Sequence, residues 1–207
     1  MVASLLFLAF VYFAVGQAAA TRNGGQSAAD AAALAAAQDA REQLRAGWID
    51  AILSQDAWDD YLNGEEYAPH LACEAAARFA AKNGAELWDE GCVSRRTGGE
   101  AEFQVRVRTI HTVGRSVLPG TEKQHAVASA TAVLEPRCSF DPPVPPPTSS
   151  SAPPPPTGTP SPEPTPTPSP EPAPITGLVC SGVTWTIDPE DPRLPEAADL
   201  FTVRLVD

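Results

Sequence analysis

Clustered positive charge is the first thing the sequence lacks. Lys and Arg number 14 against 26 Asp and Glu, for a net charge of −12, and no basic stretch is longer than Arg95-Arg96. Phosphate backbones are held by grouped Lys and Arg, so nucleic acid is excluded as a partner. The acidity is dispersed and reads as a solvated surface. Metal-ligating patterns are missing as well. The four cysteines, Cys73, Cys92, Cys138 and Cys180, form no C-x-x-C, and His70, His111 and His125 stand far apart, so no zinc or other metal site is expected. There is no G-x-S-x-G, H-E-x-x-H or P-loop. The carboxylate pairs Asp59-Asp60 and Glu65-Glu66 are adjacent in sequence and point apart, which suits a solvated turn and not general acid/base work. Nothing here pairs a nucleophile with a base. No enzyme, no cofactor and no catalytic residue is therefore expected, and a cryptic hydrolase is the weakest of the rival readings.

What is present begins with a greasy stretch, VASLLFLAFVYFAVG over residues 2–16, followed by an alanine-rich one, QSAADAAALAAAQDAREQLRA over residues 26–46. Two readings compete for residues 2–20. As a signal peptide they carry an apolar segment and an A-x-A site at Ala18-Ala19-Ala20, cut before Thr21. As an anchor they approach the roughly 20 apolar residues that span a bilayer. The anchor is the reading adopted, giving a transmembrane helix over 1–20. No Lys or Arg precedes the apolar run, and Arg22 lies on the wrong side for a cytoplasmic N-terminus. A longer reading frame with a basic start would reconcile this, and an intact mass beginning at Met1 would refute it.

The region 21–140 reads as an α+β body. Residues 26–46 are strong helix by propensity. Gly24-Gly25 soften or break that helix, at about 1 kcal/mol per glycine, and Gly47 ends or kinks it. Ala28, Ala31, Ala32, Leu34 and Ala35 make a smooth face that packs either on the body itself or on another molecule. A further helical period runs through Trp48, Ile52, Trp58, Tyr61 and Leu62 to a C-cap at Asn63-Gly64. Another helix covers 68–83, with Pro69 in its first turn. Trp48, Trp58 and Trp88 are expected as core anchors. Residues 101–112 alternate Phe103, Val105 and Val107 against Gln104, Arg106 and Arg108, a half-buried strand. After a turn at Pro119-Gly120, residues 125–134 form its antiparallel partner, with the helices as cover.

Residues 141–174 change abruptly to a Pro/Ser/Thr-rich tract, expected to be extended or disordered. It serves as a spacer through a cell wall, a glycosylated stalk, or a solvated insertion. Residues 175–207 alternate again in LVCSGVTWTI and LFTVRLV, and are expected to complete a sheet of about four strands. Downstream of an export segment, the cysteines belong in an oxidising compartment. Of the three connectivities open to four cysteines, pairing Cys138 with Cys180 staples the mouth of the proline tract, worth roughly 3–4 kcal/mol by chain entropy. Cys73, on a helix, then pairs with Cys92, just after the next one.

At residues 16–40 the chain resembles TadE/TadG-like proteins of the tight-adherence (Flp-type) pilus assembly system, in the version carried by high-GC Gram-positive bacteria. The family's Gln-x-x-x-Asp-Ala-Ala-Ala-Leu-Ala motif is matched by Gln26, Asp30, Ala31, Ala32, Ala33, Leu34 and Ala35. A looser match runs through Ala76, Phe79, Ala80, Asn83, Gly84 and Ala85 to Cys92, Val105 and Val107. The chain departs from the family in lacking a basic start and a prepilin-type cleavage signal, and the proline tract has no counterpart there. The resemblance implies a pilin-like, single-pass cell-membrane protein with its bulk extracellular. Its implied partners are the membrane, other pilins or pilus-assembly proteins, and the cell wall, with assembly acting through the N-terminal helix. The rival from another class is a secreted or wall-spanning binding module with a cleaved signal peptide and a proline-rich spacer.

Overall fold

In a computed structural model, which describes residues 2–112, 123–142, 173–188 and 193–206, one 49-residue helix, α1 (Val2–Asp50), runs unbroken from the greasy stretch through the alanine run. Neither glycine site interrupts it. Alanine-rich flanks carry the helix through Gly24-Gly25, and packing makes use of the missing side chains. A Cβ at Gly25 would meet the Ala126 Cβ at 3.3 Å. One at Gly47 would run into the Tyr61 ring, so Gly47 is where α1 passes closely under its neighbour and not where it ends.

After α1 come a 3-10 turn (Gln55–Ala57), a short α2 (Trp58–Leu62) and α3 (Pro69–Lys82). Pro69 sits in the first turn of α3, where its absent N–H costs nothing. Asn63 caps α2, and Gly64 follows at φ +72, a left-handed position suited to glycine. The strands are β1 (Ala85–Thr97), β2 (Glu100–Thr109), β3 (Val127–Pro136), β4 (Cys138–Phe140), β5 (Ile175–Cys180), β6 (Val183–Ile187) and β7 (Phe201–Val206), with a one-turn α4 (Ala197–Leu200) before the last.

The expected single sheet is two. A four-stranded antiparallel sheet has the order β1-β2-β3-β7, and a three-stranded one the order β4-β5-β6. Only the final alternating segment joins the β2–β3 hairpin. The LVCSGVTWTI segment folds as its own hairpin through Ser181 and Gly182, both at positive φ, and pairs with β4, the continuation of β3 beyond Pro136. A second difference is β1. Residues 85–97 form an edge strand, so Cys92 lies within a strand and not after a helix. Its register slips between Leu87 and Cys92, where Asp89 and Gly91 take positive φ. A third is Trp88. Trp48 and Trp58 are wholly buried, but Trp88 is 39% exposed and lies under the Arg108 guanidinium, 3.6 Å from its carbon to the ring centroid. Ordinary alternation with Glu86 places it on the outer face of the sheet, while Ala85 and Leu87 face inward.

One core serves the body. Ala28, Ala29, Ala32, Ala33, Ala36, Ala37 and Ala40 of α1 are buried against Ala72, Ala76 and Ala80 of α3 and against Phe103, Val105 and Val107 of β2. Small side chains on both helices let their backbones approach. At the far end of α1, Trp48 meets Trp58 edge-on at 5.1 Å, and Trp58 meets Phe140 at 4.4 Å. The disulfides join Cys73 to Cys92, tying α3 to β1, and Cys138 to Cys180, directly opposite each other on β4 and β5. The second bridge closes a separation of 42 residues. Replacing both its cysteines by serine is expected to cost about 4 kcal/mol, read as a lower urea midpoint with the Cys73–Cys92 bridge intact.

The proline-rich residues 143–172 and the Pro119-Gly120 turn lie outside the described residues. The ends of the tract are described and meet: the Asp141 N–H donates to the Gly177 carbonyl at 3.1 Å.

On the outer sheet face Arg204 forks onto Glu135 and also approaches Glu100 at 3.9 Å. The Arg204 hydrogen bond holds the Glu135 carboxyl below its ordinary value. With a lowered folded-state pKa, the stability gained is present above the ordinary carboxylate range and is lost as pH falls through the folded value. Glu135→Gln is therefore expected to lower the urea midpoint at neutral pH, the difference from the parent shrinking in acid.

Candidate functional site

The first part of α1 stands outside the core. Leu5, Phe7, Leu8, Phe10, Tyr12, Phe13 and Val15 are all exposed, Phe7 at 69% and Tyr12 at 84%. At about 100° per residue these positions cover every side of the helix. The arm is thus not an amphipathic helix that has lost one partner; it is apolar all round, and such a helix is stable only when surrounded. Gly25 touches the body, and from Ala28 to Ala40 every alanine except the half-buried Ala31 is buried.

Residues 2–15 extend roughly 21 Å at about 1.5 Å per residue, short of the roughly 30 Å hydrocarbon layer. Among the described residues no helix is long and apolar enough to cross a membrane. The expected transmembrane helix over residues 1–20 is thus not found as a self-sufficient span. Gly16, Thr21 and Arg22 dilute the run beyond Val15.

The motif read as helix-assembly residues is placed as follows. Gln26 is exposed and Asp30 half-buried. The Gln26 Nε2 donates to Asp30 Oδ1 at 2.8 Å and to the Ser129 carbonyl at 3.3 Å. That carbonyl lies on β3 beyond Thr131, where pairing with β7 stops, so Gln26 satisfies a strand edge and pins the helix at its exit from the body. Ala32 and Ala35 are buried, and Leu34 is partly buried against the same core. Ala31 is half-buried. These small residues fix α1 to its own body, and the arm remains as the part that faces outward.

The histidines do not converge. His70 and His111 are exposed, and the His125 Nδ1 lies 2.6 Å from the Thr109 carbonyl. No group of three His, Cys, Asp or Glu arranged to hold a metal occurs among the described residues. A small hollow of about 100 Å³ at the slip in β1 is lined by Asp89, Glu90, Gln104 and Arg106. There Asp89 and Arg106 pair at 3.2 Å, so each charge is satisfied by the other.

Fold and site together define a small disulfide-stapled α+β body carrying a projecting apolar helical arm. The family model for TadE/G-like proteins of Flp pilus assembly matches residues 1–39, the arm and the first alanine turns. No curated protein and no solved structure matches the chain.

Proposed function

We propose that the chain is a membrane-anchored, pseudopilin-like component of a tight-adherence (Flp-type) pilus or secretion apparatus, acting in assembly through its N-terminal helix. The arm's all-round apolar exposure carries this reading, and the family match over the same residues supports it. At about 25 cal/mol per Å² of apolar surface, leaving such an arm in water is costly, and a bilayer or a bundle of like helices removes the cost. Because residues 2–15 fall short of the hydrocarbon thickness, the arm seats in the bilayer with help from the small residues after it and from neighbouring assembly helices. The body, with its two disulfides, then lies on the oxidising, extracellular side. Gln26, Asp30 and the buried alanines hold arm and body as one rod.

Carbonate extraction of membranes from cells making the full chain tests this. Retention in the pellet is expected. Release into the supernatant would instead favour a secreted or wall-spanning binding module with a cleaved leader and a proline-rich spacer.

A further inference from the structure

Within the body, three exposed large apolar side chains gather at the end from which the arm emerges. Ile110 is 50% exposed, Val127 46% and Trp88 39%. Val127 stands opposite Arg108 across the β2–β3 ladder, Trp88 stacks on Arg108, and Ile110 continues the same face two residues beyond it. Gly25 of α1 touches Ala126, the neighbour of Val127, so this patch and the helix exit are one place. The charges among it are internally matched: Arg108 with Glu86, and Arg106 with Asp89. Exposed Arg22 and Lys123 add cations at the same end and Glu90 an anion.

We infer that this end of the body is a lipid-contact rim that rests Ile110, Val127 and Trp88 in the headgroup layer of a zwitterionic bilayer. The inference rests on the arm being seated in that bilayer. Whatever surrounds the arm must lie against the face from which the arm leaves. From Ala20 to Gly25 the axis advances about 8 Å, comparable to the roughly 5–8 Å of interfacial layer in one leaflet. A tryptophan with a cation on one ring face and an apolar edge suits that layer, where indole rings concentrate at membrane surfaces. It also accounts for apolar side chains left outside a core that had room for the other two helix-end tryptophans, and exposed apolar clusters of this kind mark contact surfaces.

The test uses the full chain in phosphatidylcholine vesicles carrying a spin-labelled lipid, with the label either near the headgroup or deep in the acyl chain. Tryptophan fluorescence is expected to be quenched more by the shallow label. Trp88→Phe should remove at least half of that quenching, because Trp48 and Trp58 are buried in the far end of the body and the half-buried Trp185 lies in the smaller sheet beside them. Ile110→Asn combined with Val127→Asn, at two exposed positions, should weaken the quenching with Trp88 still present. Co-flotation of chain and vesicles reports on the arm separately. Flotation with quenching that is unchanged by Trp88→Phe overturns the rim alone, and failure to float overturns the rim and the anchored arm together. Efficient cross-linking between copies through Ile110→Cys, without shallow quenching, would show that a second copy covers the patch, and overturns the inference too.

Discussion

Leu8→Arg is expected to move the full chain from the membrane pellet to the soluble or aggregated fraction. Leu8 is 60% exposed near the middle of the arm, and the arm has no polar face onto which an arginine could be turned. Placing Arg at the centre of an inserted helix costs about 2.5–3.5 kcal/mol, and removing Leu forfeits a further few tenths. That corresponds to roughly a hundredfold or more in partitioning, against an apolar run already short for its layer. The body should be untouched, because the core begins some 20 residues along the helix, at Ala28. Circular dichroism and the two disulfides should match the parent. Undiminished pelleting would show that the arm is covered by protein that tolerates the charge, and the bilayer reading would fail.

Trp58→Ala is expected to be the most damaging single change in the body, at about 3–5 kcal/mol. Its indole is wholly buried, its Nε1 donates to the Ala51 carbonyl at 3.2 Å, and its ring touches both Trp48 and Phe140. The end of α1 and α2, neighbours in sequence, therefore meet the distant β4 of the smaller sheet on one side chain. A domain of this size has about 5–15 kcal/mol in all, so the loss takes a large share. The urea midpoint should fall steeply, and hydrogen exchange should speed first in β4–β6. A loss under 1 kcal/mol would mean that the smaller sheet is held to the body by the direct β3–β4 chain connection and not by this cluster.

Much of the body can be read from residues whose signals are local. The alternation of Phe103, Val105 and Val107 locates β2, and Pro69 with Asn83-Gly84 brackets α3 to within a residue. The pair Cys138 and Cys180 suggests a staple because the proline tract lies between them. What escapes is set by contacts that a one-dimensional pattern does not carry. Gly25 and Gly47 look like helix breakers, yet each is a point of close approach to a residue far along the chain, Ala126 and Tyr61. Residues 85–97 do not alternate, because the positive-φ slip at Asp89 and Gly91 shifts the faces mid-strand. Trp88, expected in the core, shares the outer face with Glu86 by ordinary alternation and is a surface residue. The separate β5–β6 hairpin depends on three residues of β4 extending past Pro136, a matter of register that composition leaves open. At the candidate site, the apolar arm is plain in the sequence. The choice between intramolecular and intermolecular packing for the alanines is not, because alanine on a helix face suits both.

The unbroken course of α1 has a mechanical consequence. Gly25 lies against Ala126 at one end of the body and Trp48 against Trp58 at the other, about 35 Å apart along the axis. Phe140, beside Trp58, leads directly into the base of the proline-rich insertion. A pull between the arm and that insertion would load α1 along its own length. The alanine seam would then have to slide as a whole, in shear, and could not be peeled contact by contact. At the insertion the load would pass to β4 and β5, where a covalent bridge carries it across. The arm and the base of the insertion thus leave the body at opposite ends, and a force applied between them would be shared along the whole seam.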